Sequence, residues 1–156
     1  MASFSDYNCP YCRVLTEKLT SIADRADGRV EITWHEWPLL GPTSDFAAKA
    51  ALAADLQNGY LDFHKRLMRT RLIPTETYLT EFAVETGADP AQLLADMDGP
   101  EVAARLRNTR AVARILGLVG TPSLVIGRTV VVGAVSEAFI TALIEQERQD
   151  GSLPGC

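Results

Sequence analysis

The chain has 156 residues, 47% of them hydrophobic, which is enough for one well-filled core. Its 15 Lys and Arg residues against 20 Asp and Glu residues give a formal net charge of −5, which argues against sequence-independent binding to nucleic acid or to an anionic membrane. No apolar run approaches the roughly 20 residues needed to cross a bilayer, so proteins or small molecules are the expected partners.

The N-terminal part of the chain predicts a strand, a helix and a second strand. Residues 3–8 (SFSDYN) are short and strand-like. The next segment, PYCRVLTEKLTSIADRA, carries apolar residues at helical spacing: Val14, Leu15, Leu19 and Ile22. Residues 29–37 (RVEITWHEW) alternate β-branched and aromatic residues with polar ones, which predicts a second strand that Pro38 ends. The order is therefore β-α-β, with two cysteines at the first strand-helix junction.

Residues 43–98 contain no strand pattern and predict an all-helical insertion. Four segments each begin at a recognisable cap: TSDFAAKAALAADLQ, YLDFHKRLMRTR, PTETYLTEFAVETG and DPAQLLADMD. Asp89 before Pro90 is typical of a helix start, because proline at the first helical position loses no hydrogen bond. A fifth helix begins at Pro100, ends at Gly117 and is expected to return the chain to the sheet.

The C-terminal part predicts a hairpin and a last helix. In PSLVIGRTVVVG two β-branched runs flank Gly127 and Arg128, a two-residue turn signal in which glycine supplies the positive φ. SEAFITALIEQERQ has one apolar face and predicts the last helix. The whole order predicts an α/β chain with a four-stranded mixed sheet flanked by helices, the elements of a thioredoxin fold. Residues 1–156 are expected to form a single domain, with residues 1–40 and 100–149 as its core and the helical insertion between them.

The stretch DYNCPYCRV places Cys9 and Cys12 on the first turn of a predicted helix. At that spacing the side chains face the same side, so the sulfurs can close a disulfide without large backbone movement. Cys9 lies at the helix N-terminus, where unpaired N–H groups and the helix dipole favour the thiolate, and is predicted to attack. Cys12 is less exposed and is predicted to resolve the mixed disulfide. Pro10 rigidifies the loop, and Tyr11 offers an aromatic surface without a positive charge.

Other uses of the Cys pair compete with redox chemistry. A zinc site needs further ligands, and Cys156, His35 and His64 form no second paired motif. A static crosslink over so short a loop restricts the unfolded chain little. The alternative from a different class is a module that captures a soft metal such as Cu(I) on the two thiolates, although Met68 and Met97 show no evident pairing with the Cys loop. Redox chemistry with no cofactor and no resident metal is the favoured interpretation.

A Thr-Pro pair in VGTPSLVIG provides a second motif. Proline is tolerated in a sheet at an edge or at a strand's first residue, so Pro122 marks a loop entering a strand; in a thioredoxin-like arrangement this loop faces the Cys pair. A cis Thr121–Pro122 bond would leave the Thr121 backbone free to pair with an extended substrate and let Pro122 shield the sulfurs. The plain alternative is a trans turn. Thr121 and Pro122 are therefore predicted to bind substrate, and peptide capture with redox turnover secondary is a further interpretation.

Several stretches spread over nearly the whole chain carry a family resemblance: FSDYNCPYCR, WHEWPLLGPTSDFAAKAALAA, YLDFHKRLM, GTPSLVIG and GAVSEAFITALIE. They closely resemble the DsbA-like branch of thioredoxin-fold thiol-disulfide oxidoreductases. The resemblance implies an exchange enzyme in which Cys9 attacks and Cys12 resolves, opposite a cis Pro122 preceded by Thr121. The expected partners are protein or peptide thiol and disulfide substrates, and a redox partner protein or glutathione.

Three departures from that family change the expectation. The strongly oxidising member for which the family is named has His at the place of Tyr11, so the disulfide here is expected to be less oxidising. Many relatives carry a buried acid at the place of Ser3, so the proton of the resolving thiol is expected to pass to water or another group. The first strand of many relatives is missing or trimmed, which leaves a sheet edge and predicts a monomer or weak dimer.

The compartment is not readable from the N-terminus. The start MASFSDYN lacks the basic beginning and apolar middle of a signal peptide. Because members of the family are typically exported, a periplasmic or extracytoplasmic location is expected if an export signal was trimmed, and a cytoplasmic one otherwise.

Four other titratable residues receive no catalytic role. Cys156 is expected to be an unpaired surface thiol. Alternation along the second strand places His35 on the face opposite Glu36, where it is expected to pack. His64 is expected to pack or to form a hydrogen bond, and Asp6 would disfavour a Cys9 thiolate if its carboxylate points that way.

Overall fold

The computed structural model describes residues 1–151, which form one sheet and seven helices. The elements are β1 (Ala2–Ser5), α1 (Pro10–Arg25), β2 (Thr33–Glu36), α2 (Pro42–Asp55), α3 (Tyr60–Arg69), α4 (Glu76–Glu85), α5 (Pro90–Met97), α6 (Pro100–Ile115), β3 (Ser123–Ile126), β4 (Thr129–Val132) and α7 (Glu137–Gln149). The predicted order of β-α-β, helical insertion and α-β-β-α is confirmed.

The sheet has the strand order β2-β1-β3-β4. β1 is parallel to β2 and antiparallel to β3, while β3 and β4 form an antiparallel hairpin. Gly127 has a φ of 57° in the hairpin turn, a left-handed conformation that glycine adopts without steric cost. The mixed four-stranded sheet of a thioredoxin fold is therefore confirmed, and β1, which leads into the Cys pair, lies in its interior.

β2 is shorter than the sequence predicts. The alternating pattern covers residues 29–37, but the strand runs only from Thr33 to Glu36, paired with Ala2 to Ser5 of β1. A strand persists only where its N–H and C=O groups find partners. Because β1 offers four residues before the chain turns towards α1, the earlier part of the predicted strand has no full ladder to join.

Helices cover both faces of the sheet. α1 and α7 pack on one face, in a buried cluster that includes Leu19, Leu124 and Ile140. α6 packs on the other face, where Phe4 and Ala113 are buried. β1 is thus covered on both sides, which fixes the position of the residues that follow it.

The four helices α2 to α5 form a layer beside the N-terminal end of α1. α2 contributes small buried residues that let α3 and α5 approach closely: Ala47, Ala48, Ala50, Ala51, Ala53 and Ala54. The buried cluster around these alanines also contains Cys9 and Cys12, so the helical insertion and the Cys pair share one core. Within residues 1–151, no helix is both long and apolar enough to span a membrane.

Candidate active site

The Cys pair lies where β1 ends and α1 begins. Cys9 is the N-cap residue of α1, and its backbone N–H donates to the Asp6 carbonyl at 3.1 Å. Cys12 follows in the first turn and faces inward, with 1% of its surface exposed against 5% for Cys9. Both are free thiols. The first turn of α1 therefore holds one sulfur at the helix end and the other beneath it.

The loop before β3 brings distant residues to Cys9. The Cys9 Sγ lies 3.5 Å from the carbonyl oxygen of Thr121, to which the thiol donates, and the Thr121–Pro122 peptide bond is cis. Pro122 is buried, whereas Pro10 and Tyr11 are exposed. Cys9, Thr121 and Pro122, separated by more than a hundred positions in the chain, thus meet in space as the sequence motifs predict.

The Cys12 thiol is held in its neutral form. Burial raises its pKa strongly, and the nearby Cys9 raises it further, while a hydrogen bond from the Asp6 N–H to the Cys12 Sγ at 3.5 Å acts in the opposite direction. Burial is the largest of these effects. At neutral pH Cys12 therefore carries a proton, which it must lose before it can attack a disulfide.

The Asp6 carboxylate is saturated by other donors. It accepts hydrogen bonds from the backbone N–H groups of Asn8, Leu39 and Leu40 and from the Ser44 hydroxyl, at 2.7 to 2.9 Å. These bonds fasten the segment before α2 to the turn that carries the Cys pair. Asp6 has a structural role here, and its charge is directed at these donors.

A buried polar cluster lies at the C-terminal end of β2, and the sequence did not predict it. The hydroxyls of Tyr7 and Tyr60 donate to Glu36 Oε1 at 2.7 and 2.6 Å, and His64 Nδ1 lies 3.4 Å from the same oxygen. Glu36 and His64 are each 1% exposed. Burial, followed by the charge of Glu36, raises the pKa of both tyrosines well above its usual value, so both hydroxyls stay protonated.

The polar cluster lies on the face of the sheet that α1 covers. Ser5 pairs with Glu36 in the β1–β2 register, and Ser3 pairs with Leu124 in the β1–β3 register. Side chains two positions apart on a strand share a face, and Leu124 lies on the face that α1 covers. Ser5 and Glu36 therefore lie on the α1 side of the sheet, near the turn that carries Cys12.

Three buried polar atoms around this cluster have no hydrogen-bond partner within residues 1–151: Ser5 Oγ, Glu36 Oε2 and His64 Nε2. Buried polar groups are normally satisfied, and exceptions are often functional. These three atoms therefore mark the cluster as a candidate functional feature.

The signals for the polar cluster are visible in the sequence once its geometry is known. Tyr60 and His64 are four positions apart on one helix face, and alternation in β2 sends Glu36 and His35 to opposite faces. His35 stacks on Phe4, with ring centroids 4.5 Å apart, as the alternation predicts. That Tyr7 completes the cluster depends on how α3 packs against β2 and against the turn after β1, which no local pattern encodes.

The described residues provide no ordinary metal site. No group of three or more His, Cys, Asp or Glu side chains within residues 1–151 could hold a metal ion. Met68 lies nearer to the Cys loop than the sequence indicated, since it lines the same surface pocket as Pro10. Cys156 lies outside the described residues.

Similar proteins carry the same domain. A model of the DSBA-like thioredoxin domain matches residues 2–145. A thioredoxin-like oxidoreductase from Silicibacter pomeroyi DSS-3 is 41% identical, with a TM-score of 0.87 over 95% of this chain and 85% of that chain. No curated protein is significantly similar in sequence.

Two further solved structures extend the likeness. The thiol-disulfide exchange protein alpha-DsbA2 from Wolbachia pipientis is 25% identical, with a TM-score of 0.84 over 93% of this chain and 79% of that chain. A periplasmic thioredoxin-like protein from Salmonella enterica serovar Typhimurium is 28% identical, with a TM-score of 0.79 over 94% of this chain and 82% of that chain. Because the family model spans residues 2–145, the chain belongs to the family of DSBA-like thioredoxin domains.

Proposed function

We propose that the protein catalyses thiol-disulfide exchange with protein or peptide substrates through Cys9 and Cys12. The observation that carries this proposal is the position of Cys9: it is the N-cap residue of α1, its sulfur lies 3.5 Å from the Thr121 carbonyl, and Cys12 follows one turn behind it. A helix N-terminus favours an anion, which suits an attacking thiolate. The likeness to solved thiol-disulfide exchange proteins supports the same reaction.

The reaction proceeds in two displacements. In the reductive direction, the Cys9 thiolate attacks a substrate disulfide, a mixed disulfide forms and one substrate thiolate leaves. Cys12 then loses its proton and attacks the Cys9 sulfur, so the Cys9–Cys12 disulfide closes and the second substrate thiolate leaves. The protein is oxidised by two electrons and the substrate disulfide is reduced; the oxidative direction is the reverse.

The buried polar cluster is the proposed proton acceptor for the second displacement. Burial keeps the Cys12 thiol protonated, and Glu36 lies on the sheet face that α1 covers, with an unpartnered buried oxygen. The position six residues before Cys9 is Ser3, which cannot accept a proton as a carboxylate can. Glu36 lies on β2, beside the strand that carries Ser3, and accepts hydrogen bonds from Tyr7 and Tyr60. Its carboxylate is therefore the proposed acceptor of the Cys12 proton.

Substrate is proposed to bind along the Thr121 segment. Thr121 is half-buried beside the Cys9 sulfur, and an extended peptide can pair with backbone groups at the end of a sheet. Tyr11 is 66% exposed next to Cys9 and offers an aromatic surface to the same peptide. Protein thiols, with a partner protein or glutathione to restore the pair, are the proposed partners of a monomer or weak dimer.

A trapping experiment tests the exchange reaction. Replacing Cys12 with Ser removes the resolving thiol, so Cys9 should accumulate substrates as mixed disulfides that a reductant releases. Both variants are made in a Cys156→Ser background, so the matched control, Cys9→Ser, keeps the Cys12 thiol, lacks the attacking one and should trap none. If Cys12→Ser traps nothing while the wild-type protein binds Cu(I) tightly through both thiolates, the exchange reaction is excluded and metal capture is the better account.

The direction of exchange follows from the reduction potential of the pair. In a Cys156→Ser background, equilibration in glutathione buffers and counting of alkylated thiols gives that potential. A value near roughly −120 mV means a donor of disulfides, and one near about −270 mV means a reductant. We propose an extracytoplasmic location by likeness to the periplasmic Salmonella protein, which cell fractionation with an antibody to the native chain would test.

A further inference from the structure

A basic pocket lies where the first turn of α1 meets the end of α3. It has a volume of about 580 Å³, and Pro10, the residue bonded to Cys9, forms part of its wall. Its charged lining residues are Arg13, Arg69, Arg71 and Glu17. Three guanidinium groups against one carboxylate make this pocket locally positive on a protein with a net charge of −5.

Arg13 is a fixed part of the pocket wall. Its guanidinium donates to the backbone carbonyl of Tyr7 at 2.7 Å and to that of Thr70, so it joins the Cys turn to the segment after α3. Burial and the charge of Arg71 lower the pKa of Arg13, while Cys9 raises it. Arg13 therefore lies within electrostatic reach of both the attacking cysteine and Arg71.

Arg69 and Arg71 supply accessible charge. Both are exposed, and no carboxylate within residues 1–151 forms an ion pair with either guanidinium. Like charges held close together repel, and an arriving anion relieves that repulsion. Arginine also suits carboxylates because its planar group can donate two parallel hydrogen bonds.

We propose that this basic pocket binds carboxylate groups next to the reacting sulfur, so that Cys9 prefers disulfides flanked by negative charge. The inference rests on the proposed exchange reaction at Cys9 and names its substrate class. Two sources offer this chemistry: glutathione disulfide, whose carboxylates lie close to its sulfurs, and a protein disulfide with neighbouring Asp or Glu residues. In both, the Cys9 thiolate forms a mixed disulfide, the old S–S bond breaks and an anionic thiolate leaves.

The test compares three small disulfides of different charge with the reduced full-length protein in a Cys156→Ser background. Glutathione disulfide is anionic, 2-hydroxyethyl disulfide is neutral and cystamine is cationic. The rate at which the Cys9–Cys12 thiols disappear is followed by acid quenching and alkylation at low ionic strength. Each variant's rate is divided by the wild-type rate with the same disulfide, which cancels the intrinsic reactivity of that disulfide.

Three single substitutions, each removing one charge, are expected to change the oxidation rate in different directions. Arg71→Gln should slow the reaction of glutathione disulfide by about threefold to tenfold, which corresponds to one charge pair roughly 3 to 6 Å apart at the dielectric constant of water. Glu17→Gln removes the pocket's carboxylate and should accelerate it. Arg107→Gln, on the exposed side of α6 across the sheet, is the matched control and should change nothing. The neutral disulfide should respond to none of them, and cystamine should respond in the reverse sense.

Salt and acidic peptides complete the test. The effects on glutathione disulfide should disappear near 1 M salt, where the screening length falls to about 3 Å. A disulfide-linked peptide flanked by Glu, compared with one flanked by Gln, shows whether polypeptides use the pocket as well. The proposal is overturned if Arg71→Gln and Glu17→Gln change the rates of all three disulfides equally or not at all. If even 2-hydroxyethyl disulfide fails to oxidise the wild-type pair, the exchange function itself is wrong.

Discussion

Cys9 and Cys12 share one helical turn but differ in what surrounds their sulfurs. Cys9 faces the Thr121 carbonyl at the entrance of the site, whereas Cys12 lies beneath it and accepts a hydrogen bond from the Asp6 N–H. The difference suits the proposed roles of Cys9 as the attacking thiol and Cys12 as the resolving thiol. Two predictions at the scale of single residues follow from the Cys12 environment.

The first concerns stability and pH. The folded-state pKa of Cys12 lies above the unfolded value of about 8.5. The stability that the folded protein gains by keeping the Cys12 thiol protonated is therefore complete below that pH and is lost as the pH rises. The unfolding free energy of the reduced protein, minus that of Cys12→Ser, should fall by about 1.4 kcal/mol per pH unit above pH 8.5. Tyr7 and Tyr60 titrate alike in both proteins and cancel. A difference that stays flat from pH 7 to pH 10.5, in urea unfolding, would contradict the raised pKa.

The second concerns the proton of Cys12. Glu36→Gln should slow the attack of Cys12 on a mixed disulfide by about 10²-fold near neutral pH, because it removes the acceptor, while the first attack by Cys9 keeps its rate. Rapid-quench kinetics separate the two steps. The loss should shrink as the pH rises, since hydroxide then replaces the acceptor. Tyr60→Phe keeps the carboxylate and removes one donor, so it should slow the step much less.

The pH profile of Glu36→Gln distinguishes proton transfer from a structural role. A merely structural Glu36 would change both displacements, or neither, and would leave the pH profile of the second step unchanged. The same profile for the wild type and Glu36→Gln would therefore remove Glu36 from the mechanism.

At the scale of elements, the turn of the β3–β4 hairpin is bound to α7 by a buried carboxylate, in addition to the apolar packing between them. Glu147, 5% exposed, accepts hydrogen bonds from the Arg128 N–H and the Thr129 hydroxyl. A Cβ at Gly127 would overlap the Glu147 carboxylate, in addition to requiring a positive φ of a non-glycine residue. The hairpin turn therefore needs glycine for two separate reasons.

Gly127→Ala should consequently destabilise the protein more than a substitution at a glycine whose only special feature is its positive φ. Gly117, at the end of α6, has a φ of 67° and open space around its Cα, so Gly117→Ala should cost about 1–2 kcal/mol. Gly127→Ala should cost about 1–3 kcal/mol more. Chemical denaturation measures both, and the extra cost should vanish in a Glu147→Ala background if the overlap causes it. Equal costs for the two glycines would show that the carboxylate moves aside freely.

At the scale of the whole molecule, the helical insertion and the active site are built on one core. The buried cluster of α2 to α5 includes Tyr7, Cys9 and Cys12, so the first turn of α1 packs against the insertion as well as against the sheet. The hydrogen bond from the Ser44 hydroxyl to the Asp6 carboxylate connects the same two parts. We therefore expect the protein to unfold as one cooperative unit, although the sequence divides it into a thioredoxin core and an insertion.

A substitution deep in the insertion tests this. Leu79 of α4 is fully buried, and Leu79→Ala should cost about 2–5 kcal/mol by leaving a cavity. It should shift the far-UV circular dichroism transition and the alkylation of Cys12 in denaturant by the same amount. Leu61→Ala, at a position 52% exposed, is the control and should shift neither by more than about 0.5 kcal/mol. Alkylation of Cys12 that precedes or follows the global transition would reveal separate units.

Much of the fold was predictable because short local sequence patterns specify its helices, strands and turns. Helical periodicity and proline or cap signals located α1 to α7, the Gly127 turn located the hairpin, and the Cys-Pro-Tyr-Cys stretch located the site at a helix start. The bounds were less accurate: the strand predicted over residues 29–37 was too long, because its length depends on the four residues that β1 offers as partners.

By itself, then, the sequence determined the order of the elements, the fold class and the positions of Cys9 and Cys12, since these depend on residues close together in the chain. Only the tertiary structure decided which polar and charged side chains lie around the Cys turn. Glu36 and His64 lie on β2 and α3, and Tyr7 lies on the turn between β1 and α1. The arginines of the basic pocket lie on α1, on α3 and in the segment after α3. Their meeting depends on strand register and on how α3 packs against β2 and α1, and such long-range geometry is set by the packing of the whole core.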